Sequence, residues 1–249
     1  MATLYLLGTG AAVSDPHRTT TMLAVENSAS ILLIDCGGDA LQRLAACGAD
    51  PGKVTGLIVT HEHPDHVSGF PLLMEKIWLY GRREPLDVYG IEPAIDQARR
   101  AHDSFDTTAW PDYPEIRYRP VETTPGALVL EGDGWRVTAA PGDHAVPVVG
   151  LRIEEESGGV VAYSCDTSYS AAIVNLAKGA HILVHEATGE GPGHSSAQQA
   201  ARAAREASAA RLLLVHLPPE RYLGAEELAR AREIFPNTEK GEEGGRYGF

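Results

Sequence analysis

The most informative stretch of this 249-residue chain is Leu57-Ile58-Val59-Thr60-His61-Glu62-His63-Pro64-Asp65-His66. Residues 57–59 are apolar, and together with Thr60 they form a strand-like run that predicts a buried strand. The six residues that follow contain three imidazoles and the carboxylate of Asp65, which need polar partners and do not fit an apolar core. Residues two apart at a strand end point the same way, so that His61 and His63 can share one metal ion. Asp65 and His66 follow the turn at Pro64 and can face a second ion. The alternative is an exposed polar loop that happens to be rich in histidine.

Further ligands must come from elsewhere in the chain, because four residues cannot complete two coordination shells. His144, Asp166 and His216 each follow an apolar, strand-like run, as His61 does. Ligands at the ends of several strands converge on one edge of a sheet, as functional groups do in other α/β folds. A structural polar residue at a strand end is the alternative for each of the three.

The rest of the chain alternates strand-like and helical segments, which indicates an α/β protein. A helix over residues 195–207 opens with Ser195 and Gln198 at the spacing of a capping box. Residues 104–125 predict a long surface loop, and the tail from Lys240 predicts loose order. The other predicted strands are 4–7, 31–34, 160–163, 182–184 and 212–215, with 128–130, 135–139 and 148–153 as an antiparallel group; the other predicted helices are 39–47, 71–80, 93–102 and 225–235.

Composition narrows the class of protein. The net charge of −13 argues against a broad nucleic-acid surface, because such a surface needs Lys and Arg to displace counterions from phosphates. Three widely spaced cysteines do not suggest a disulfide framework and favour a cytoplasmic location. No stretch approaches the length of a membrane span. Length and composition together favour one domain over residues 1–249.

The pattern H-x-H-x-D-H, followed by a distant His, Asp and His, resembles the metallo-β-lactamase superfamily. This resemblance implies an αββα sandwich, with two mixed sheets flanked by helices and a two-metal site at one edge. It implies that His61, His63 and His144 hold the first ion. It also implies that Asp65, His66 and His216 hold the second ion and that Asp166 bridges both.

More of the chain is similar to one branch of that superfamily, ribonuclease Z and its relatives. Ser164-Cys165-Asp166-Thr167 is close to the S-G-D-T of that branch, and His185-Glu186-Ala187-Thr188 matches its H-E-A-T. His194-Ser195-Ser196 resembles its H-S-T before an Ala-rich helix. Gly8-Thr9-Gly10 with Arg18, Ile34-Asp35-Cys36-Gly37 and Phe235-Pro236-Asn237-Thr238 extend the resemblance over nearly the whole chain.

One segment departs from the tRNA-processing members of that branch. Those members carry a protruding arm that clamps the tRNA, between the ligands that correspond to His144 and Asp166. Only 21 residues separate these two positions here, and they predict one hairpin. The resemblance therefore points to the arm-less relatives, which include phosphodiesterases that act on small or cyclic phosphodiesters.

The resemblance also implies a mechanism and a set of site residues. Two zinc ions, with Mn²⁺ or Fe²⁺ as alternatives, bind a bridging hydroxide that attacks phosphorus. Asp65 accepts the proton of the nucleophile, His194 protonates the departing oxygen, and Glu186 orients His194. Arg18 is a candidate phosphate contact or a surface residue, and Cys165 is interpreted as a buried strand residue.

Several functions fit these residues. The same ligands suit a hydrolase of esters, thioesters or lactones, a tRNA 3′-end processing endonuclease, or a non-catalytic metal-bound binding module. A small phosphodiester substrate is favoured over tRNA. Relatives in the ribonuclease Z branch are often dimers, which makes a homodimer an expectation from resemblance alone.

Overall fold

The computed structural model describes residues 2–219 and 224–249. Its strands are β1 (Thr3–Gly8), β2 (Met22–Glu26), β3 (Ile31–Ile34), β4 (Val54–Val59), β5 (Leu86–Gly90), β6 (Ile116–Pro120), β7 (Ala127–Gly132), β8 (Trp135–Pro141), β9 (Val149–Glu155), β10 (Val160–Tyr163), β11 (Ile182–Glu186), β12 (Leu212–Val215), β13 (Thr238–Lys240) and β14 (Arg246–Gly248). Its helices are α1 (Ala40–Ala46), α2 (Pro64–Val67), α3 (Phe70–Leu79), α4 (Glu92–His102), α5 (Ala171–Leu176), α6 (Ala197–Glu206) and α7 (Ala225–Ile234).

The strands form two sheets of seven strands each, in the orders β14-β1-β2-β3-β4-β5-β6 and β13-β12-β11-β10-β9-β8-β7. Both sheets are mixed: β3 to β6 are parallel in the first sheet, and β10 to β13 are parallel in the second. A single large core of apolar side chains contains residues from both sheets. Burying the strands on both faces explains why their sequences are continuous apolar runs.

Helices lie along both sheets. α1 and α4 contact strands of the first sheet, with α3 packed between them, and α5, α6 and α7 contact strands of the second. The Ala-rich face of α6 allows a close approach to β11 and β12. This arrangement confirms the αββα sandwich with two mixed sheets. No helix of the described residues has both the length and the apolar character that crossing a bilayer requires.

The structure corrects three details of the sequence-based expectation. The capping box of α6 is formed by Ser196 and Gln199, one residue later than predicted, because the Ser195 hydroxyl donates instead to the carbonyl of Thr167. The predicted loop 104–125 contains β6, which pairs with β5. The tail contains β14, which pairs with β1 and is therefore ordered by the sheet.

The chain between His144 and Asp166 is a β-hairpin. β9 and β10 pair antiparallel from Val160↔Glu154 to Tyr163↔Leu151, and four residues connect them. No arm projects from this part of the chain, as the sequence predicts.

Candidate metal centre

The ends of four strands bring the seven predicted ligands to one edge, where the two sheets meet. β4 ends directly before Thr60 and His61, and the turn into α2 places His63, Asp65 and His66. β8, β10 and β12 end shortly before His144, Asp166 and His216 respectively. A hydrogen bond from the Val149 N–H to the Thr60 carbonyl joins the sheets at this edge. The strand-end convergence that the sequence predicts is therefore present.

The first group of ligand atoms comes from His61, His63, His144 and Asp166, and these atoms lie within 4.8 Å of one another. His63 Nδ1 lies 3.1 Å from His61 Nε2 and 3.2 Å from His144 Nε2. Asp166 Oδ2 lies 4.0 Å from both of those Nε2 atoms. Four nitrogen and oxygen atoms therefore surround one small volume.

The second group comes from Asp65, His66 and His216, with Asp166 at the boundary between the two groups. Asp65 Oδ2 lies 3.5 Å from His66 Nε2 and 3.3 Å from His216 Nε2. Asp166 contributes both oxygens, since Oδ1 lies 3.6 Å from His66 Nε2 and Oδ2 lies 3.4 Å from His216 Nε2. Asp166 is thus the side chain that both groups share.

These distances fit metal coordination. Bonds of about 2.0 Å in a tetrahedral site separate the ligand atoms by roughly 3.3 Å, which is close to the separations seen here. Two of the atoms, His66 Nε2 and Asp166 Oδ1, are buried and have no hydrogen-bond partner among the described residues. Buried polar atoms are rarely left without a partner. A divalent cation bound by imidazole and carboxylate ligands accounts for both atoms.

The electrostatics of the cluster also favour cations. Burial raises the pKa of Asp65, but its hydrogen bond with His216 and the charge of His66 outweigh burial and lower the pKa to about 2. Burial lowers the pKa of His66, but the carboxylates of Asp166 and Asp35 outweigh it and raise the pKa to about 9. The carboxylates thus impose a negative potential that attracts a proton, and the same potential attracts a metal ion.

Asp35 holds one ligand of each group in position, although the sequence does not single it out as a site residue. Its Oδ2 accepts a hydrogen bond of 2.8 Å from His66 Nδ1, which leaves His66 Nε2 free to face the cluster. The Thr60 hydroxyl donates to the same carboxylate at 2.9 Å and lies 3.2 Å from His61 Nδ1. Carboxylates that orient metal-binding histidines in this way raise metal affinity.

Backbone and hydroxyl groups hold two further ligands. His144 Nδ1 lies 2.8 Å from the carbonyl oxygen of Gly193, and His216 Nδ1 lies 2.7 Å from the Thr188 hydroxyl. A Cβ at Gly193 would approach His144 Nδ1 to 2.7 Å, so that this close contact requires glycine. The segment 188–194 therefore orients a ligand of each group.

His194 and Glu186 form a pair beside the cluster. Glu186 is fully buried at the end of β11, and its Oε1 accepts a 3.0 Å hydrogen bond from His194 Nδ1. This hydrogen bond raises the pKa of His194. Partial burial opposes the rise, and the charge of Glu186 adds to it. The ring of His194 lies 5.0 Å from that of His144 and 5.8 Å from that of His216, centre to centre. A protonated imidazole can therefore stand at the edge of the metal centre.

Two other residues named from the sequence occupy different surroundings. Arg18 forms an ion pair of 3.2 Å with Asp15 in the segment after β1. Cys165 is fully buried, and its sulfur lies 2.9 Å from the Thr60 hydroxyl and 3.5 Å from His61 Nδ1. It also lies within 4.8 Å of a ring nitrogen of His66, so that it packs against one ligand of each group.

The chain is similar to known proteins over most of its length. A family model described as the beta-lactamase superfamily domain matches residues 31–217. Ribonuclease Z of Methanothermobacter thermautotrophicus is 33% identical over 296 aligned positions, which cover 96% of this chain and 94% of that protein. The alignment has more positions than this chain has residues, so the relative contains segments that this chain lacks.

Solved structures match over almost the full chain. The metallo-beta-lactamase fold protein YhfI of Bacillus subtilis has a TM-score of 0.82 and 22% identity, covering 99% of this chain and 98% of that chain. The short form of human tRNase Z has a TM-score of 0.78 and 23% identity, covering 100% of this chain and 99% of that chain. A diphosphatase of the PhnP family has a TM-score of 0.76 and 20% identity, covering 100% and 98%. These likenesses show the fold.

Asp35→Asn is expected to weaken metal retention without unfolding the protein. The amide keeps the size of the side chain, but it removes the negative charge that orients His66 and, through Thr60, His61. Loss of such an orienting partner lowers metal affinity by roughly 10–100-fold. Metal content after competition with a chelator measures the effect, and circular dichroism checks the fold.

The matched control is Asp96→Asn, since Asp96 is an exposed carboxylate on α4 that pairs with Arg99. This variant should retain metal as the unmodified protein does. Equal retention by the Asp35 and Asp96 variants would show that Asp35 does not support the centre.

Proposed function

The chain belongs to the metallo-β-lactamase superfamily, in its ribonuclease Z-like branch, and is a metal-dependent hydrolase; on this premise we propose that it is a two-zinc phosphodiesterase for small or cyclic phosphodiesters. The observation that carries the proposal is the His194–Glu186 pair beside the ligand cluster. Hydrolysis of a phosphodiester expels an alkoxide, which benefits from a proton donor at the departing oxygen. A histidine with a raised pKa is suited to that task.

The seven clustered side chains are the proposed ligands of two ions. His61, His63 and His144 would hold one ion, Asp65, His66 and His216 would hold the other, and Asp166 would be shared, which the short distances between these side chains support. The donor set of imidazoles and carboxylates suits zinc, and it also suits manganese or iron. Bound at such a centre, a metal pair acidifies water and offsets the charge on the phosphoryl oxygens.

The protein side chains handle the protons in this proposal. Asp65 is ionised at neutral pH, because its pKa is lowered to about 2, and it accepts a proton from the attacking water. His194 donates a proton from Nε2 to the departing oxygen, while its Nδ1–H remains bonded to Glu186. Glu186 also accepts hydrogen bonds from the backbone N–H groups of Thr167 and Ser195, which fix its carboxylate in place.

The size of the substrate follows from the hairpin between His144 and Asp166. β9 and β10 pair along their length, so that this stretch lies in the second sheet and does not project toward a large substrate. The net charge of −13 also disfavours a long polyanion. A small substrate fits both observations, and the PhnP-family neighbour is named as a diphosphatase, which adds substituted diphosphates to the candidates.

A substrate panel on metal-loaded protein tests the proposal. We expect turnover of bis-p-nitrophenyl phosphate and of at least one cyclic nucleotide or substituted diphosphate, and little turnover of a thioester or a lactone. His63→Ala should lose metal and activity together, because it removes a ligand atom at the centre of the first group. Glu62→Gln is its matched control, since Glu62 is the neighbouring residue and is not among the clustered ligands.

Two results of the panel would contradict the proposal. Preference for the thioester or lactone would indicate carbonyl chemistry, and full activity of the His63 variant would rule out the metal centre as the site.

Ribonuclease Z activity is the second candidate, because the named relative is 33% identical over nearly the whole chain. It would be supported by salt-sensitive binding and cleavage of precursor tRNA.

The His194→Gln variant is expected to keep its metal and to lose activity. The size of the loss should depend on whether the leaving group needs a proton. With a poor leaving group such as an alkoxide, the rate should fall by roughly 10²–10⁴-fold, the usual contribution of a general acid. With p-nitrophenolate, which departs without a proton, the rate should fall far less. An equal loss for both leaving groups would assign His194 a structural role.

A further inference from the structure

A cavity of about 320 Å³ lies beside α3, and none of the seven candidate ligands lines it. α3 contributes Leu72 and Glu75 to its walls, and the segment 103–115 between α4 and β6 contributes Phe105, Trp110 and Tyr113. That segment has no regular secondary structure among its 13 residues. Loops of this length inside a compact fold are uncommon and usually serve a function.

Aromatic side chains form the walls of this cavity, and contacts with neighbouring rings fix two of them in position. The rings of Trp110 and Tyr113 stand 5.5 Å apart, centre to centre, at an angle of 80°. Trp110 is stacked on Trp78 at 4.8 Å, and the Tyr113 hydroxyl lies 3.0 Å from Nε2 of His102. Phe105 is 60% exposed at the rim, although burying its ring would be favourable. The cavity is therefore a partly assembled aromatic cage with one open side.

A carboxylate without a partner faces this cage. Glu75 is half-buried, yet it makes no hydrogen bond or ion pair with any residue in 2–219 or 224–249. Burial and the neighbouring Tyr118 raise the pKa of Tyr113 to about 12, and the charge of Glu75 contributes to this rise. The charge of Glu75 is thus felt at the aromatic wall. A half-buried carboxylate is costly unless a positive charge or hydrogen-bond donors accompany it.

The surrounding segment is also negative. Residues 103–115 contain Asp103, Asp106, Asp112 and Glu115 but neither Lys nor Arg. A cation approaching this side of the molecule is therefore attracted before it makes contact. A small metal ion is a poor fit, because it requires several oxygen ligands and the walls are mostly apolar and aromatic. A neutral apolar ligand would leave Glu75 without compensation.

We propose that this cavity binds an organic cation that carries its charge on an alkylated ammonium group. The aromatic faces attract the charge and contact the alkyl groups, as aromatic cages for quaternary ammonium groups do. Glu75 supplies the compensating negative charge. The site is separate from the metal centre and does not depend on the phosphodiesterase proposal, because the two share no residue.

A fluorescence titration of the metal-loaded protein with choline tests this inference, since Trp110 lines the cavity and Trp78 is stacked on Trp110. We expect a saturable change in tryptophan emission. The control ligand is 3,3-dimethylbutan-1-ol, which has the shape of choline but lacks its charge, and it should bind about tenfold more weakly. Repeating the titration after treatment with EDTA should give the same affinity for choline, which separates this site from the metal centre.

Two variants test the residues. Glu75→Gln should weaken choline binding several-fold and leave binding of the neutral ligand unchanged, whereas Glu122→Gln, an exposed carboxylate outside the cavity, should change neither. Phe105→Ala should weaken the binding of both ligands. Because the Phe105 side chain is exposed, its removal should preserve the fold. Activity toward the phosphodiester panel serves as a separate readout and is expected to be unchanged by Glu75→Gln in the absence of choline.

Four results of the ligand titrations would overturn the inference. They are absence of saturable binding, equal affinity for choline and its neutral analogue, loss of choline binding with EDTA, and no effect of Glu75→Gln. A tryptophan signal that changes with protein concentration and not with choline would also overturn it, because it would indicate that a second copy of the chain covers this face. Sedimentation at the same concentrations identifies that case.

Discussion

The structure depends on the burial of imidazoles and carboxylates at the one edge where the ends of four strands meet. His61, His66 and Asp166 are almost completely buried there, and His66 Nε2 and Asp166 Oδ1 have no hydrogen-bond partner among the described residues. Polar atoms buried in this way cost stability unless a cation is bound between them. Metal binding therefore explains why the ligand atoms lie so close to one another. Metal and fold are then expected to stabilise each other.

The backbone at the strand ends shows how the ligands reach this edge. Asp35 follows β3 with a φ of 60°, Cys165 precedes Asp166 with a φ of 53°, and His216 follows β12 with a φ of 51°. A residue other than glycine pays about 1–2 kcal/mol in this left-handed region. Such strain persists where the surrounding contacts outweigh it, and it is concentrated at functional sites. Here the three turns lie beside the candidate metal centre, where each redirects the chain so that a polar side chain faces the cluster.

Much of the centre could be predicted from sequence because its residues follow strong apolar runs. The histidine-rich stretch 61–66 is unusual in composition, and His144, Asp166 and His216 each follow a predicted strand. Asp35 also follows a strand directly, but in the sequence it stands out only within the stretch Ile34-Asp35-Cys36-Gly37. Its role depends on a hydrogen bond to His66 across the sheet, which sequence spacing does not reveal.

The remaining elements were harder to predict for physical reasons. β6 has the pattern Ile-Arg-Tyr-Arg-Pro, in which partly exposed side chains alternate at the edge of the sheet, so it lacks an apolar run. β14 is three residues long and exists because β1 offers it a pairing edge. Ser195 and Ser196 have equal capping propensity, and only the tertiary contact of Ser195 with Thr167 decides between them.

The central claim is that two metal ions are held together by side chains from distant segments of this chain. Anomalous X-ray diffraction at the zinc edge, from crystals grown with zinc, tests this claim most directly. The account predicts two strong peaks, one among His61, His63 and His144, the other among Asp65, His66 and His216, with Asp166 contacting both. A map with no peak in this cluster, or with zinc bound only elsewhere on the molecule, would contradict it.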